Sequence, residues 1–447
     1  MPGRTQRPNY PHSRERFSAR RSPGALSPGR CWMAHELVIK TRIVHGSTFR
    51  NVSIGIDNGK ISAVKPNLRG EKEFHFEDYL ALPGGVDIHT HMREPGFEKK
   101  EDFFTGTRSA AFGGTTTILD MPNTEPAVTT VRALEEKLDL VADKANVDFG
   151  LFGQLSDVDE IEKMTKLAIG FKLFMADTTA TVATTSPPEI LLNSGHLAGR
   201  VVTVHAEDPE LFAREECTDL HRHNLIRNMR AETEAVKKIL SIESPVKLNL
   251  AHLTTTDSVD MARKGKATFE ITPHHVLLDE SMDLGTNGKV NPPLRKRAIA
   301  DRLFDVLKTG RAIIASDHAP HAADEKSLDF TIAPSGIPGV ETRVPLMLAL
   351  AQKGMLKHSA VQDMCSQLPA GLFGLKKGRI ELGYDADIAF YDLDNMIKID
   401  AANLHSKCGW TPFGGFDAIF PAGVMLRGNM IIRGGELVLE RTGKNLR

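Results

Sequence analysis

Paired cysteines, long apolar runs and an excess of either charge are all missing from this sequence of 447 residues. Its four cysteines, Cys31, Cys217, Cys365 and Cys408, are scattered and form no CxxC pair. This argues against a thiolate zinc site or a disulfide framework and favours reduced thiols in a cytosolic protein. No apolar run approaches the ~20 residues of a membrane span. The net charge of -1 gives no reason to expect nucleic acid or an anionic membrane as a partner.

The first 32 residues lack apolar periodicity and contain a single acid, Glu15, among many Arg, Pro and Ser residues. Such a segment cannot bury a core. Two interpretations are open: an organelle transit segment, which shares this acid-poor bias, or a disordered or non-native extension ahead of Met33 as the natural start. The Pro and Gly content argues against an amphipathic targeting helix and favours the second interpretation.

Two segments at opposite ends of the remaining chain have the same short β character. Residues 33–82 contain brief apolar runs separated by turn residues such as Asn58-Gly59, and residues 371–447 repeat this pattern. We predict that the two segments pair into one small β-sandwich. It would flank a central domain of residues 83–370.

The central domain alternates apolar runs with helical stretches such as 131–145 and 231–243. Near-continuous apolar strands that are each followed by a helix predict a parallel sheet covered on both faces. Eight such units suit a (β/α)8 TIM barrel, whose active site lies at the C-terminal ends of the strands. The alternative, a doubly wound sheet, would need a phosphate loop after the first strand, and no such motif is present. The predicted strands are 84–89, 115–121, 147–153, 168–175, 200–206, 246–252, 267–273 and 311–317.

Side chains that can bind metal stand at or near the C-terminal ends of several predicted strands. Two histidines that are two residues apart in an extended chain point to the same face and can bind one ion. Taken singly, each histidine has a simpler interpretation as a surface or core residue, and a strand lysine could form an ion pair with Asp317. Together they favour a metal site. The set is His89, His91, Lys172, His205, His252 and Asp317.

The kind of ligand predicts the kind of metal. Imidazole and carboxylate ligands without thiolate favour zinc, with manganese or cobalt as substitutes. Four histidines and an aspartate are too many for one open catalytic zinc, which takes three protein ligands and water. Two ions, ~3.5–4 Å apart in sites of this kind, fit better.

Short motifs around these residues carry a family likeness. They are DIHTHMREPG (87–96), GFKLFM (170–175), VHAED (204–208), AHL (251–253), TPHH (272–275), NPPLR (291–295) and SDHAPHAADEK (316–326). Together they resemble the dihydroorotases of the amidohydrolase superfamily over roughly residues 82–344, and the flanking β segments resemble that family's small domain.

The resemblance implies a role for each metal-binding residue. The two histidines of HTH and Asp317 would bind the more buried zinc, His205 and His252 the second, and a carbamylated Lys172 would bridge both. A zinc-activated hydroxide would open the ring amide of L-dihydroorotate, and Asp317 would pass its proton to the leaving nitrogen. The reverse reaction closes N-carbamoyl-L-aspartate in pyrimidine (UMP) biosynthesis.

The resemblance also implies how the substrate carboxylate is held, namely by Arg93, Asn123 and His321. Arginine can grip a carboxylate through two hydrogen bonds. Arg93 could instead be an ion-pair partner of Glu94 or Asp102. Asn123, which follows a proline, could be a turn residue only.

Other residues of the motifs are expected to line the site. Asn291 would contact the edge of the pyrimidine ring, unless it is only a turn residue, and the stretch APSGIPG would give backbone contacts at Pro338 and Gly339. Two interpretations are open for His274 and His275: they support the substrate or metal site, or they only pack in the core. The Thr/Ser-rich segment 177–186 is either a mobile loop over the site or an ordinary solvated loop.

Three function classes follow. The first is dihydroorotase. The second is allantoinase, hydantoinase or dihydropyrimidinase, which typically lack the arginine and have a different residue in place of His321. The third is a non-catalytic scaffold for a partner such as aspartate carbamoyltransferase, which would be expected to have lost metal ligands. A homodimer or larger homo-oligomer, and association with aspartate carbamoyltransferase, are further expectations.

Overall fold

The computed structural model describes residues 34–178, 181 and 186–447. The predicted N-terminal extension (residues 1–32), Met33 and most of residues 179–185 lie outside these described residues.

The described chain begins with a β-meander. Strands β1 and β2 are antiparallel, β2 and β3 are antiparallel, and β4 returns to lie parallel to β1. Asn58 and Gly59 turn the hairpin between β2 and β3, both with positive φ (51° and 73°), as a two-residue loop of this twist requires. The four strands are β1 His35–His45, β2 Thr48–Asp57, β3 Lys60–Lys65 and β4 Gly70–Pro83.

The central domain is an eight-stranded parallel barrel, which confirms the predicted (β/α)8 fold over the doubly wound alternative. The last strand is short. It meets the first through a parallel bridge between Thr90 and His318, where the His91 amide donates to the His318 carbonyl (2.8 Å). The strands are β5 Gly85–Thr90, β6 Thr115–Asp120, β7 Asp148–Gln154, β8 Gly170–Phe174, β9 Val201–His205, β10 Lys247–Leu250, β11 Thr268–Ile271 and β12 Ile313–Ile314.

The longer helices cover the barrel and bury apolar residues along one side. The helix that begins at Met229 buries Ala235, Val236 and Ile239, and Asn228 accepts a hydrogen bond from the Ala231 amide at its start. The helices are α1 Phe103–Phe112, α2 Val131–Val141, α3 Val158–Met164, α4 Pro188–Leu192, α5 Leu220–Ile226, α6 Met229–Leu240, α7 Thr256–Lys264, α8 Pro273–Leu277, α9 Arg297–Leu307, α10 Ala323–Lys326, α11 Arg343–Gln352, α12 His358–Gln362 and α13 Leu368–Leu372.

The C-terminal strands complete the first sheet, so the predicted pairing of the two ends is confirmed. Its order is β18-β17-β16-β13-β4-β1-β2-β3, and the antiparallel pair β13 and β4 joins the two ends. Phe76 of β4 and Phe390 of β13 stack in its core, with ring centroids 4.2 Å apart. These strands are β13 Ile388–Tyr391, β14 Ile397–Lys398, β15 Asp417–Ala418, β16 Pro421–Leu426, β17 Asn429–Arg433 and β18 Glu436–Leu437, of which β14 and β15 form a separate pair.

A buried ion-pair cluster fastens the sheet to the N-terminal end of the barrel. Lys377 Nζ lies 2.6 Å from Asp148 of β7, 3.0 Å from Asp385 and 2.7 Å from Asp387, which precedes β13. The three carboxylates are close enough to suggest a cation site, but the lysine ammonium already stands among them. No helix in the described part of the chain is long and apolar enough to cross a membrane.

Candidate active site

The predicted metal ligands meet in one cavity at the C-terminal mouth of the barrel. Parallel strands deliver their carboxyl ends to the same rim, so residues far apart in sequence converge there. The cavity is lined by His89, His91, Arg93, Asn123, Lys172, Phe174, Thr178, His205, His252, Asn291, Asp317, Ala319, Ser335 and Gly336.

Three of the ligands form one tight group. Asp317 Oδ1 lies 3.3 Å from His89 Nε2 and 3.2 Å from His91 Nε2. One ligand atom from each residue falls within 4.8 Å of the other two. This group has the ligand number and chemistry of a divalent metal site.

The other two histidines form a second group beside the first. His205 Nδ1 lies 3.0 Å from His252 Nε2, and the His89 and His252 rings are 5.3 Å apart between centroids. Two imidazole nitrogens that face each other at this distance can share one ion.

Three of the four histidines are held from behind by an oxygen. Glu270 Oε2 accepts from His89 Nδ1 at 2.7 Å, and Glu207 Oε2 accepts from His205 Nε2 at 2.8 Å. His91 Nδ1 donates to the Asn123 amide oxygen at 2.8 Å. Each contact puts the proton on the outer nitrogen and leaves the lone pair of the inner nitrogen facing the cavity. This is the arrangement found around metal-bound histidines.

Burial keeps the imidazoles neutral. It is the main cause that lowers the pKa of His89, His91 and His252 well below the usual value and also lowers the pKa of His205. A neutral imidazole has a free lone pair, so the four residues are in the protonation state that metal binding needs.

Glu207 and Glu270, which accept hydrogen bonds from the histidines, have pKa values that are shifted in opposite directions. Burial tends to raise the pKa of Glu207, but Arg227, with Nη2 at 2.5 Å, and His205 outweigh it and hold that pKa well below its usual range. Burial raises the pKa of Glu270, which also accepts from Asn249 Nδ2 at 2.6 Å.

Lys172 lies fully buried among these groups. Its Nζ is 3.3 Å from His89 Nε2 and 5.3 Å from the centroid of the Phe174 ring. Among the described residues no carboxylate forms an ion pair with it, so the alternative of a pair with Asp317 is wrong. Burial lowers the pKa of Lys172, which favours the uncharged amine.

A cationic corner adjoins the first ligand group. Arg93 Nη2 lies 3.1 Å from His321 Nε2, and Arg93 Nε donates to the Pro320 carbonyl at 3.0 Å. Burial lowers the pKa of Arg93 to about 10, so the guanidinium stays charged at neutral pH. Its alternative partners are taken, since Glu94 pairs with Lys144 and Asp102 with Lys407.

Of the predicted substrate residues, Arg93, Asn123 and Asn291 line the cavity, whereas His321 is fully buried beside Arg93 and does not line it. Asn291 lines the cavity, and its Oδ1 lies 3.0 Å from His223 Nε2. Pro338 and Gly339 do not line it; they lie at a neighbouring cavity, where the Gly339 amide donates to His318 Nδ1 at 3.1 Å. The same loop reaches the active-site cavity three residues earlier, at Ser335 and Gly336. Backbone contacts between the substrate and Pro338 or Gly339 stay a prediction.

The histidines of TPHH stand behind the site. His275 Nδ1 contacts Thr272 Oγ1 at 2.7 Å, and its Nε2 donates to the Pro292 carbonyl at 2.9 Å, next to Asn291. Neither His274 nor His275 lines the cavity. From the segment 177–186, Thr178 lines the cavity, while most of the rest lies outside the described residues.

The sequence analysis missed the residues that hold the ligands, chiefly Glu207, Arg227 and Glu270. A signal was available for two of them. Glu270 interrupts an apolar strand, and Glu207 stands two residues after His205, at places where an unpaired buried carboxylate would be costly.

Comparisons with known proteins agree with this geometry. The family model described as "Amidohydrolase family" matches residues 80–430. A dihydroorotase of Halobacterium salinarum is 39% identical over 425 residues, covering 92% of this chain and 99% of the relative. A dihydroorotase of Methanosarcina acetivorans is 38% identical over 424 residues, covering 88% of this chain and 90% of the relative. Among solved structures, the L-hydantoinase (dihydropyrimidinase) of Arthrobacter aurescens has a TM-score of 0.86 at 27% identity, covering 92% of this chain and 99% of that structure.

Proposed function

The chain belongs to the amidohydrolase family, and from this premise we propose that it is a dihydroorotase. It interconverts N-carbamoyl-L-aspartate and L-dihydroorotate plus water, a step of pyrimidine biosynthesis. The observation that carries the proposal is Arg93, a buried guanidinium that lines the cavity directly beside the metal-binding histidines.

The position of this cation favours a substrate with a carboxylate. Dihydroorotate carries one, whereas hydantoins, dihydropyrimidines and allantoin do not. A buried guanidinium is costly without an anionic partner, and among the described residues the Arg93 side chain has a carbonyl and an imidazole as its hydrogen-bond partners. Asn123 lines the same cavity. The relatives named dihydroorotase support the same choice over hydantoinase, the name of the structural neighbour.

The donor set fits two metal ions. His89, His91 and Asp317 would hold one, and His205 and His252 the other. Zinc suits imidazole and carboxylate ligands without thiolate. Lys172 lies beside His89 and, among the described residues, forms no ion pair with a carboxylate. This suits an amine that would add to CO2 and lose a proton, and the resulting anionic carbamate would supply a further oxygen ligand for the metal ions.

The residues of the chain divide the remaining work. When bound, the two cations acidify the attacking water and polarise the amide carbonyl. Asp317 accepts the proton of that water and delivers it to the ring nitrogen that leaves. Arg93, Asn123 and His321 hold the carboxylate, and Asn291 faces the ring. In the biosynthetic direction the same proton transfers run backwards.

The test is an assay of purified protein with dihydroorotate and carbamoylaspartate, with hydantoin and dihydrouracil as matched substrates that lack the carboxylate. Metal content is measured on the same sample. We expect turnover of the first pair, at least about 100-fold faster than of the second, since a charged grip on the carboxylate is worth about 3 kcal/mol. Zinc-loaded protein that opens hydantoin and ignores dihydroorotate would refute the proposal.

Self-association, association with aspartate carbamoyltransferase and a cytosolic location stay predictions. The retention of the whole ligand set argues for an enzyme over a scaffold. Gel filtration of the purified protein, with and without aspartate carbamoyltransferase, tests the first two.

A further inference from the structure

Lys100 contacts His321, the fully buried histidine beside Arg93. Its Nζ lies 3.2 Å from His321 Nδ1 and 2.9 Å from Glu325 Oε1, and its side chain is largely buried. On its other side, His321 Nε2 lies 3.0 Å from the Ser335 carbonyl and 3.1 Å from Arg93 Nη2. The imidazole thus stands between two cations, with a carbonyl oxygen at one edge.

This setting excludes the imidazolium. Burial, followed by the charges of Arg93 and Lys100, holds the pKa of His321 far below its usual range. A neutral imidazole carries one N–H only. Which nitrogen carries it decides whether His321 donates or accepts on the side that faces Arg93.

The contacts select the tautomer. An ammonium group can only donate, so Lys100 requires a bare Nδ1, and the proton must then be on Nε2, where it donates to Ser335. The other tautomer, with the proton on Nδ1, would offer Arg93 a bare Nε2 as an acceptor but would suit neither Lys100 nor Ser335. It would point an N–H at the ammonium of Lys100 and would leave the Ser335 carbonyl without this donor. Glu325 Oε2 cannot serve as the acceptor for an N–H on Nδ1, since it lies 3.7 Å from Nδ1 and already accepts from the Ala322 amide.

Resting on the proposed function, we propose that Lys100 is a positioning residue. It fixes the Nε2–H tautomer of His321, so that its single N–H, which lies against the Ser335 carbonyl, stands beside an Arg93 N–H at the edge of the cavity, where both can share one oxygen of the substrate carboxylate. Two donors whose nitrogens are 3.1 Å apart repel each other unless an oxygen acceptor is shared between them. An anionic oxygen from the cavity can be shared in this way, and Ser335, the other acceptor of His321, lines that cavity.

The chain offers a matched control in the adjacent residue. Lys99 pairs with Asp324 as Lys100 pairs with Glu325, but its side chain is 74% exposed. Lys99→Met and Lys100→Met make the same chemical change, one residue apart. Lys100→Arg keeps a cationic donor near Nδ1.

The first readout is the tautomer itself. Two-bond 15N–1H correlation spectra of zinc-loaded protein labelled with 15N-histidine distinguish the two forms, and the signal that disappears in His321→Asn identifies this residue. We expect Nε2–H in the unmodified protein and in Lys99→Met, and a shift toward Nδ1–H in Lys100→Met. A signal for Nδ1–H in the unmodified protein overturns the proposal, even where the variant fails to fold. An unchanged tautomer in Lys100→Met overturns it as well.

The second readout is kinetic. In Lys100→Met the KM for dihydroorotate should rise about tenfold, the effect of one hydrogen bond to a charged group, while kcat changes by less. Lys100→Arg should restore most of the affinity, and Lys99→Met should match the unmodified enzyme. A fall in kcat at unchanged KM overturns the positioning role. Unmodified protein that does not turn over dihydroorotate refutes the proposed function, and the spectra still decide the role of Lys100.

Discussion

Replacing Glu270 with glutamine tests whether the residues behind the histidines tune metal binding. Glu270 Oε2 accepts from His89 Nδ1 (2.7 Å), and Oε1 accepts from Asn249 Nδ2 (2.6 Å). Glutamine has nearly the same shape but only one oxygen. Its NH2 group must therefore face one of two donors, His89 or Asn249. Asn249 cannot easily turn, because its own oxygen accepts from Thr268 at 2.9 Å.

The size of the effect follows from these contacts. A hydrogen bond to a charged group contributes about 1.5–3 kcal/mol and a neutral one about 1 kcal/mol. Losing one acceptor oxygen and creating one donor–donor contact in a fully buried place should cost about 1.5–3 kcal/mol. We therefore expect Glu270→Gln to bind the zinc held by His89 about 10- to 100-fold more weakly, the range for residues that support metal ligands.

The assay is competition with a chromophoric chelator, followed by metal analysis of the dialysed protein. Glu341→Gln is a matched control. Glu341 is buried, accepts from His405 Nδ1 at 2.7 Å and from Ser109 Oγ at 2.8 Å, and does not line the active-site cavity. Equal zinc affinity in Glu270→Gln and the unmodified protein would refute the reasoning. So would equal loss of zinc in both variants, since that would indicate a general effect of buried Glu→Gln changes.

Three further changes probe separate parts of the structure. Arg93→Met should lower kcat/KM for dihydroorotate at least about 100-fold, because the charged contact with the substrate carboxylate is lost, and the zinc content should stay unchanged. An unchanged kcat/KM would contradict the proposal that Arg93 binds this carboxylate. Protein stripped of metal and CO2 should regain activity with zinc at a rate that rises with added bicarbonate, since the proposed carbamate on Lys172 would need CO2; a rate independent of bicarbonate argues against the carbamate. Lys377→Met should leave Asp387 buried without its cation, and Asp148 with Arg427 as its remaining partner, and should lower stability by about 3–5 kcal/mol, seen as a lower urea midpoint; an unchanged midpoint would show that the cluster does not stabilise the fold.

The barrel could be predicted because its signals are local. Each strand is a short apolar run, and several end in a polar residue that a packed core would not select, such as His205 or Asp317. The last strand, β12, is only two residues long, yet the apolar run 311–317 placed it. The convergence of the ligands then follows from the parallel arrangement, because all the carboxyl ends lie on one rim.

The residues that orient the ligands could not be predicted in the same way. Glu270 and His89 are 181 positions apart, and Lys100 and His321 are 221 apart, so no spacing in the sequence links them. Which residues of a loop line a cavity is equally hard to predict from the sequence. Ser335 and Gly336 reach the cavity while Pro338 and Gly339 do not, and this depends on where the chain turns after His321, which local patterns do not specify.

Three residues at the rim of the barrel have left-handed backbone conformations that the surrounding structure must stabilise. Arg93, His252 and Asp317 have positive φ values of 62°, 37° and 46°, a region that non-glycine residues occupy at a cost of about 1–3 kcal/mol each. Glycine would remove that strain but could neither bind metal nor hold a carboxylate. Each of the three follows the end of a strand, where a left-handed residue turns the chain while its side chain still faces the cavity. At Asp317 the strain is offset by hydrogen bonds on both sides. The Ser316 amide donates to Asp87 Oδ1 at 3.0 Å, and the His318 amide donates to Ser316 Oγ at 3.0 Å. The ligands are thus visible in the sequence, whereas their orientation is a property of contacts that only the folded barrel brings together.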